Sequence, residues 1–338
     1  MTPVDATGRE SEQEPLVSVV IPMLNEELHI ERCLSSLTRQ DYPAGRLEIF
    51  VVDGLSSDRS REIVSRFARG TPPVTLLDNP ARVTPNALNT GILHSKGGVV
   101  VILGSHSYVE PDFVRRNVEA LAQTGADCVG GRIETISDSA TGRVISLAMS
   151  SPFGVGGARF RTSDKPGYVD TVAFGAYRRE VFDRIGLFDE ELVKNQDDEF
   201  NFRLTRSGGR IYLDPSIRSS YWSRTTLRSL WKQYYQYGRW KTRIFKKHGR
   251  LPSGRHIAPA LALTVFAASV LAGLVHRDAA WLPLSLLAAY LAVSLAVTLK
   301  AVTRNGAACF MLPLAFATLH LSYALGFIRG LPVIAKAA

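Results

Sequence analysis

Cysteine is scarce. The 338 residues carry three, Cys33, Cys128 and Cys309. They are odd in number and show no metal-ligand spacing, which argues against a disulfide framework or a cysteine-built metal site. Acid is missing from one stretch: residues 224–256 hold ten Lys or Arg and no Asp or Glu. The whole chain has 40 basic and 31 acidic residues, so its remainder is balanced and the net charge of +9 is a local feature. That map argues against a nucleic-acid module, whose basic surface would belong to the folded domain. Charge of either sign is missing from 257–275, 279–299 and 307–328. Each run reaches the roughly 20 residues that cross a bilayer as a helix. Pro259, Pro283 and Pro313 stand near their starts, where a missing N–H costs little.

The basic block directly precedes these three expected transmembrane helices. It reads as a cytoplasmic flank drawn to anionic lipid headgroups. Lys300 and Arg304, in the second cytoplasmic loop, agree with that orientation. Arg329 and Lys336 disagree, because three crossings put the chain end outside. Leu227, Trp231 and Tyr234 recur at spacings of four and three, which predicts an amphipathic helix over 225–245 at the membrane interface. His320, inside the third run, is expected to hydrogen-bond between helices. Residues 1–15 are polar, with Pro3 and Pro15, and are expected to be disordered and not a signal peptide. The soluble part is therefore placed in the cytoplasm, on an inner membrane crossed several times.

From Val17 the chain alternates short apolar runs with helical patterns. Strands are predicted over 17–21, 47–52, 74–77 and 99–103, and helices over 26–38, 58–68 and 85–94, with Asn25 as the cap of the first helix. That order implies a mostly parallel sheet covered on both faces. Ligands of such sheets sit beyond the carboxyl ends of the strands. Pro22, Asn25, Glu26, Asp53, Ser105 and His106 all fall there. Residues 137–169 read as irregular. Within them GVGG is taken as a flexible loop, with Arg159 and Arg161 as candidates to close over a diphosphate. The expected organisation is a domain over 16–222, a basic linker over 223–256, the three spans within 257–329, and a tail over 330–338.

Three constellations carry chemistry. Asp53, followed by Gly54-Leu55-Ser56-Ser57-Asp58, offers either a carboxylate for a nucleoside or a loop that caps a helix. Asp197, Asp198 and Glu199 follow Asn195-Gln196 and precede Arg203 by a helical ion-pair spacing. They read either as a general base with its neighbours or as a solvated acidic helix start. Gln236, Arg239 and Trp240 lie in the basic block, either as a binding motif or as an interfacial anchor.

The segments PMLNEE, VVDGLSSD, NALNTG, AYRREVFDRIGLFDEEL, QDDE and QYGRW, in that order, resemble family 2 glycosyltransferases of the GT-A fold. VISLAMSSPFGVGGARFR, VDTVAFGAYRREVF and DDEFNFRLTRSGGRIYLDPSI are similar, more narrowly, to bacterial succinoglycan-biosynthesis glucosyltransferases. The resemblance covers about residues 16–250. It implies an α/β GT-A domain, Rossmann-like, followed by an interfacial helix and three transmembrane helices. It further implies that Asp53 contacts the uridine of a UDP-sugar, with Pro22, Asn25, Glu26 and Ser105 shaping the donor pocket. Asp197 becomes the general base of an inverting transfer, with Gln196 in place of the family's Glu. Gln236, Arg239, Trp240 and Asp198 would hold the diphosphate or the acceptor, which is lipid-linked or a growing polysaccharide. The family's Asp-x-Asp metal triplet falls on Gly104-Ser105-His106. A divalent ion, Mn2+ or Mg2+, would then have His106 as its ligand, and imidazole favours Mn2+. Alternatively Arg239 neutralises the diphosphate. Two rival functions stand beside this one: a processive polysaccharide synthase, and a non-catalytic nucleotide-binding partner of a glycan assembly complex.

Overall fold

The computed structural model describes residues 14–250 and 253–331. Residues 1–13 of the expected disordered segment, and 332–338 of the expected tail, lie outside them. In chain order the first elements are β1 (Val17–Met23), α1 (Ile30–Leu37), β2 (Leu47–Asp53), α2 (Ser60–Ser65), β3 (Val74–Asp78) and α3 (Thr84–His94). β4 (Val99–Ile102), β5 (Ser107–Val109), α4 (Phe113–Thr124), β6 (Cys128–Ile136), α5 (Ala140–Met149), α6 (Pro152–Val155) and α7 (Arg159–Thr162) follow. Next come β7 (Gly167–Val169), β8 (Ala176–Arg178), α8 (Glu180–Ile185), α9 (Gln196–Arg206), β9 (Ile211–Trp222) and α10 (Leu227–His248). The chain ends in α11 (Ala258–Val275), α12 (Trp281–Asn305) and α13 (Leu312–Gly330).

These elements form two compact units. The first runs to Gly130 and takes in Phe174–Leu187; the second is Gly131–Ala173 with Phe188 onward. In the first unit the sheet order is β3-β2-β1-β4-β8-β6. β1 pairs in parallel with β2 and with β4, and β2 with β3. β8 runs antiparallel to β4 and β6. The sheet is therefore mostly parallel on one side, as the alternating pattern requires. Val19, Val20 and Ile21 of β1 and Val51 and Val52 of β2 are all fully buried. Consecutive buried β-branched residues mark strands covered on both faces.

The first helix begins four residues later than its pattern predicts, at Ile30, and Asn25 does not cap it. Asn25 instead takes a left-handed conformation (φ 54°), which Asn tolerates. Its side-chain oxygen accepts a hydrogen bond from the Ser57 N–H at 2.8 Å, so it is already engaged.

In the second unit the region expected to be irregular contains α5. Ser139 caps this helix by accepting from the Gly142 N–H at 3.0 Å. Its apolar face (Val144, Ile145, Ala148, Met149) buries against Leu312, Phe316 and Leu319 of α13. That partner lies more than 160 residues away, and GVGG lies beyond the helix end. α10 matches the predicted amphipathic helix, with Thr226 as its cap. α11, α12 and α13 lie in three segments long and apolar enough to cross a membrane. His320 does bond between helices: its ring nitrogens face Tyr290 Oη on α12 and the Phe153 carbonyl on α6, each at 2.9 Å.

Candidate active site

The first unit presents the strand ends that the sequence marked. Asp53 closes β2 and is fully buried. Its carboxylate accepts from Ser56 N–H at 3.0 Å, Ser56 O–H at 2.5 Å and the Arg61 guanidinium at 2.7 Å. Arg61 also reaches Asp78 at 2.7 Å. The carboxylate that the sequence offered to a nucleoside makes these internal bonds and so shapes the loop after β2. A second loop, after β1, is stitched to the first. Ser56 Oγ accepts from Asn25 N–H, Ser60 Oγ from Glu26 N–H, and Asp58 from Glu27 N–H, at 2.7–3.1 Å. Pro22 lies within β1, opposite Val52. Side-chain acceptors on one loop satisfy backbone donors of the other, so the loops hold a fixed shape without regular structure.

His106 follows β4, and its Nδ1 lies 3.1 Å from Glu26 Oε1. Ser105 is buried beside it. At Gly104 an added Cβ would stand 3.3 Å from the Phe174 ring and from Ser107 Oγ. A side chain at this position would require the Phe174 ring and Ser107 to give by a few tenths of an ångström. Among the described residues no group of three His, Cys, Asp or Glu side chains converges on a point that could hold a metal. One imidazole oriented by one carboxylate suits an ion that brings its own oxygen ligands, as a nucleotide-bound ion does.

The second unit holds the acidic run. Asn195 adopts a left-handed φ of 60°, and its side-chain amide donates to the Tyr237 carbonyl of α10 at 3.0 Å. This tie sets the start of α9, where Asp197, Asp198 and Glu199 occupy the first turn and benefit from the helix dipole. Glu199 is fully buried, held by Arg203 at 2.8 Å and His248 at 2.9 Å. Asp198 forms an ion pair with Lys241, itself buried on α10. Partial burial pushes Asp198 up, but the Lys241 charge and its hydrogen bond hold it below the usual carboxylate range. Asp197 keeps contact with solvent. Crowding by protein and the adjacent Asp198 charge nevertheless raise it above that range, against the pull of Lys241. Burial and the Lys241 charge lower His256 to about 3, leaving its imidazole neutral. Two neighbouring carboxylates are thereby driven apart: one stays ionised, the other is poised to take a proton.

The structure brings Asp197 and Asp198 to Lys241, not to Arg239. Arg239 is two residues from Lys241, about 200° around the helix, and its side chain is exposed. Gln236 and Trp240 lie one turn apart on a third side, and Trp240 stacks against Arg243 at 4.1 Å. Arg159 and Arg161 are occupied. Arg159 donates to the Lys165 and Tyr168 carbonyls, and Arg161 donates to Thr135 and lies over Tyr221. Sequence reasoning missed Lys241, His248 and His256. Each sits inside the basic block, where the charge map concealed individual partners. The only available signal was the unbroken run of acids at 197–199, which needs cations once it is partly desolvated.

The model of the family "Glycosyl transferase family 2" matches residues 18–186. The chain is 32% identical over 260 residues to the succinoglycan biosynthesis protein ExoA of Rhizobium meliloti, covering 76% of this chain and 78% of that protein. It is 30% identical over 239 residues to a dolichyl N-acetyl-alpha-D-glucosaminyl phosphate 3-beta-D-2,3-diacetamido-2,3-dideoxy-beta-D-glucuronosyltransferase of Methanococcus voltae. That match covers 68% of this chain and 74% of the relative. Among solved structures, the mannosyltransferase PcManGT of Pyrobaculum calidifontis, in complex with GDP-Man and Mn2+, superposes with a TM-score of 0.60. That match has 20% identity and covers 95% of this chain and 88% of that one, a likeness of fold. The fold is accordingly that of a GT-A glycosyltransferase of glycan biosynthesis, and this chain belongs to glycosyl transferase family 2.

Proposed function

We propose that the chain is a membrane-anchored, inverting glycosyltransferase that moves a sugar from a UDP-sugar to a lipid-linked or polysaccharide acceptor. The observation that carries this reading is the split pair at the start of α9. Asp197 takes the proton of the acceptor hydroxyl as that oxygen attacks the anomeric carbon, and the bond from that carbon to the diphosphate oxygen breaks. Attack opposite the leaving group inverts the carbon, and UDP departs. Asp198, neutralised by Lys241, keeps Asp197 basic without competing for the proton. The stitched loops of the first unit, with Asp53 inside them and Pro22, Asn25, Glu26 and Ser105 around them, form the donor side. His106, beside Glu26, would be the protein's ligand to a divalent ion accompanying the nucleotide. When bound, the ion supplies positive charge for the departing diphosphate. Gln236 and Trp240 are assigned to the acceptor side. The Methanococcus voltae relative, a transferase to a dolichyl-linked sugar phosphate, supports a lipid-linked acceptor.

The test is transfer of labelled sugar from a panel of nucleotide sugars to lipid-linked acceptors by the full-length protein in detergent. NMR would read the product's anomeric centre. Inversion with UDP release is expected. Retention, or transfer from GDP-sugars alone, overturns the reading, and a ladder of products makes the enzyme processive.

A further inference from the structure

By length and composition α13 qualifies as a third membrane span; its packing says otherwise. Of its most apolar 18 residues 44% are buried by protein, against 11% for α11 and for α12. The cover includes α10, which runs beside α13 in the same direction. Leu230 shares a core with Leu312, Phe316 and Leu319. Further along, a Cβ on Gly238 would stand 2.1 Å from the Tyr323 carbonyl, and one on Gly326 2.0 Å from the Tyr235 carbonyl. Near the end, a Cβ on Gly330 would meet Thr242 Oγ1 at 2.2 Å. Only glycine permits this backbone approach, so the two helices are locked side by side in fixed register.

That register decides the question. Residues 316–330 of α13 span about 21 Å, most of the hydrocarbon thickness of a bilayer. Over the same length α10 exposes Lys232 and Arg239, and Arg228 and Lys246, just beyond it at either end, continue the same stripe at spacings of four and seven residues. If α13 stood upright in the membrane, this stripe would stand in hydrocarbon with it. Exposed charges are not stable there, whereas basic side chains are favoured at anionic headgroups. We propose that α13 does not cross the bilayer. It lies with α10 in the headgroup layer, the α10 stripe meets anionic lipid, and the chain crosses twice, through α11 and α12. Arg277 and Asp278, between those two helices, then face the far side. Arg329 returns to the side that holds Lys300 and Arg304, which removes the conflict with the positive-inside rule that three crossings create.

The test is labelling with a membrane-impermeant maleimide in sealed vesicles, using the full-length chain. The native cysteines Cys33, Cys128 and Cys309 are buried and provide the background. Vesicles are chosen in which Lys246→Cys labels without permeabilisation. Arg329→Cys is expected to label there to the same extent, and Arg277→Cys only after permeabilisation. If Arg329→Cys also labels only after permeabilisation, the proposal is overturned. Nitroxides at the exposed positions Leu314→Cys, Leu321→Cys and Leu325→Cys give a second reading, the depth of each site. Equal, shallow depth is expected; depth that grows steadily along the helix contradicts the proposal.

Discussion

The two units solve the same problem, placing polar groups where chemistry needs them, by different means. In the first, parallel strands deliver loops, and uncharged or singly charged side chains (Asn25, Ser56, Ser60, Asp58) satisfy backbone donors across them. In the second, contacts between distant elements do the placing: the ion pairs of Asp198 with Lys241 and Asp189 with Lys247, and the hydrogen bond of Glu199 with His248. Hydrogen-bonded loops, braced by Arg61 on the buried Asp53, give a fixed shape, as suits a binding surface. Partly desolvated charge pairs shift acid constants, as suits a group that must accept a proton. We therefore expect the first unit to govern nucleotide affinity and the second to govern turnover.

The sharpest way to break this division is Asp197→Asn. Turnover should fall about a thousandfold, within the range removed with a general base, while calorimetry finds UDP affinity unchanged. Next in size is a steric contrast. Gly238→Leu drives a side chain into the Tyr323 carbonyl and should cost about 3 kcal/mol in stability, read from thermal unfolding in detergent. Gly98→Ala in the first unit meets nothing within 4 Å and should stay within about 0.5 kcal/mol of wild type. His106→Ala should weaken UDP binding in Mn2+ by about tenfold and abolish the difference between Mn2+ and EDTA.

Smaller still are the pH effects, and their signs separate the two carboxylates. The base works deprotonated, so activity is lost as pH falls through the raised pKa of Asp197. Asp198→Asn removes a negative neighbour, lowers that pKa and moves the acid limb of the kcat/KM profile to lower pH. Lys241→Met removes the opposing positive charge and moves it to higher pH. Shifts of equal sign in the two variants would contradict the assignment. Smallest is Ser56→Ala, which deletes the hydroxyl's hydrogen bond to the buried Asp53 carboxylate and the one it accepts from the Asn25 N–H, and should cost about 1 kcal/mol, with a matching loss of UDP affinity.

Much of the first unit was legible in the sequence, because strand runs, strand-end loops and helix faces are local patterns. The start of α1 was not, because Asn25 is claimed by Ser57, a residue 32 positions away. Nor was the fate of Asp53, since Arg61 is an ordinary surface residue until the α2 turn folds it back. α5 was missed because its apolar face is paired only once α13 is present. In the basic block the opposite problem arose: ten cations were visible, but nothing local showed that Lys241 turns inward to Asp198 while Arg239 stays exposed. The Gly104-Ser105-His106 triplet was legible as a departure, whereas its packing consequence, the Phe174 ring beside Gly104, required the fold.

The central claim, that binding and proton transfer belong to different units, is tested most directly by measuring UDP affinity and sugar transfer together in Asp197→Asn and His106→Ala. The account predicts crossed results: transfer lost with affinity kept in the first, affinity reduced with its metal dependence in the second. If Asp197→Asn weakens UDP binding as much as it slows transfer, or transfers sugar at the wild-type rate, the division of labour is wrong.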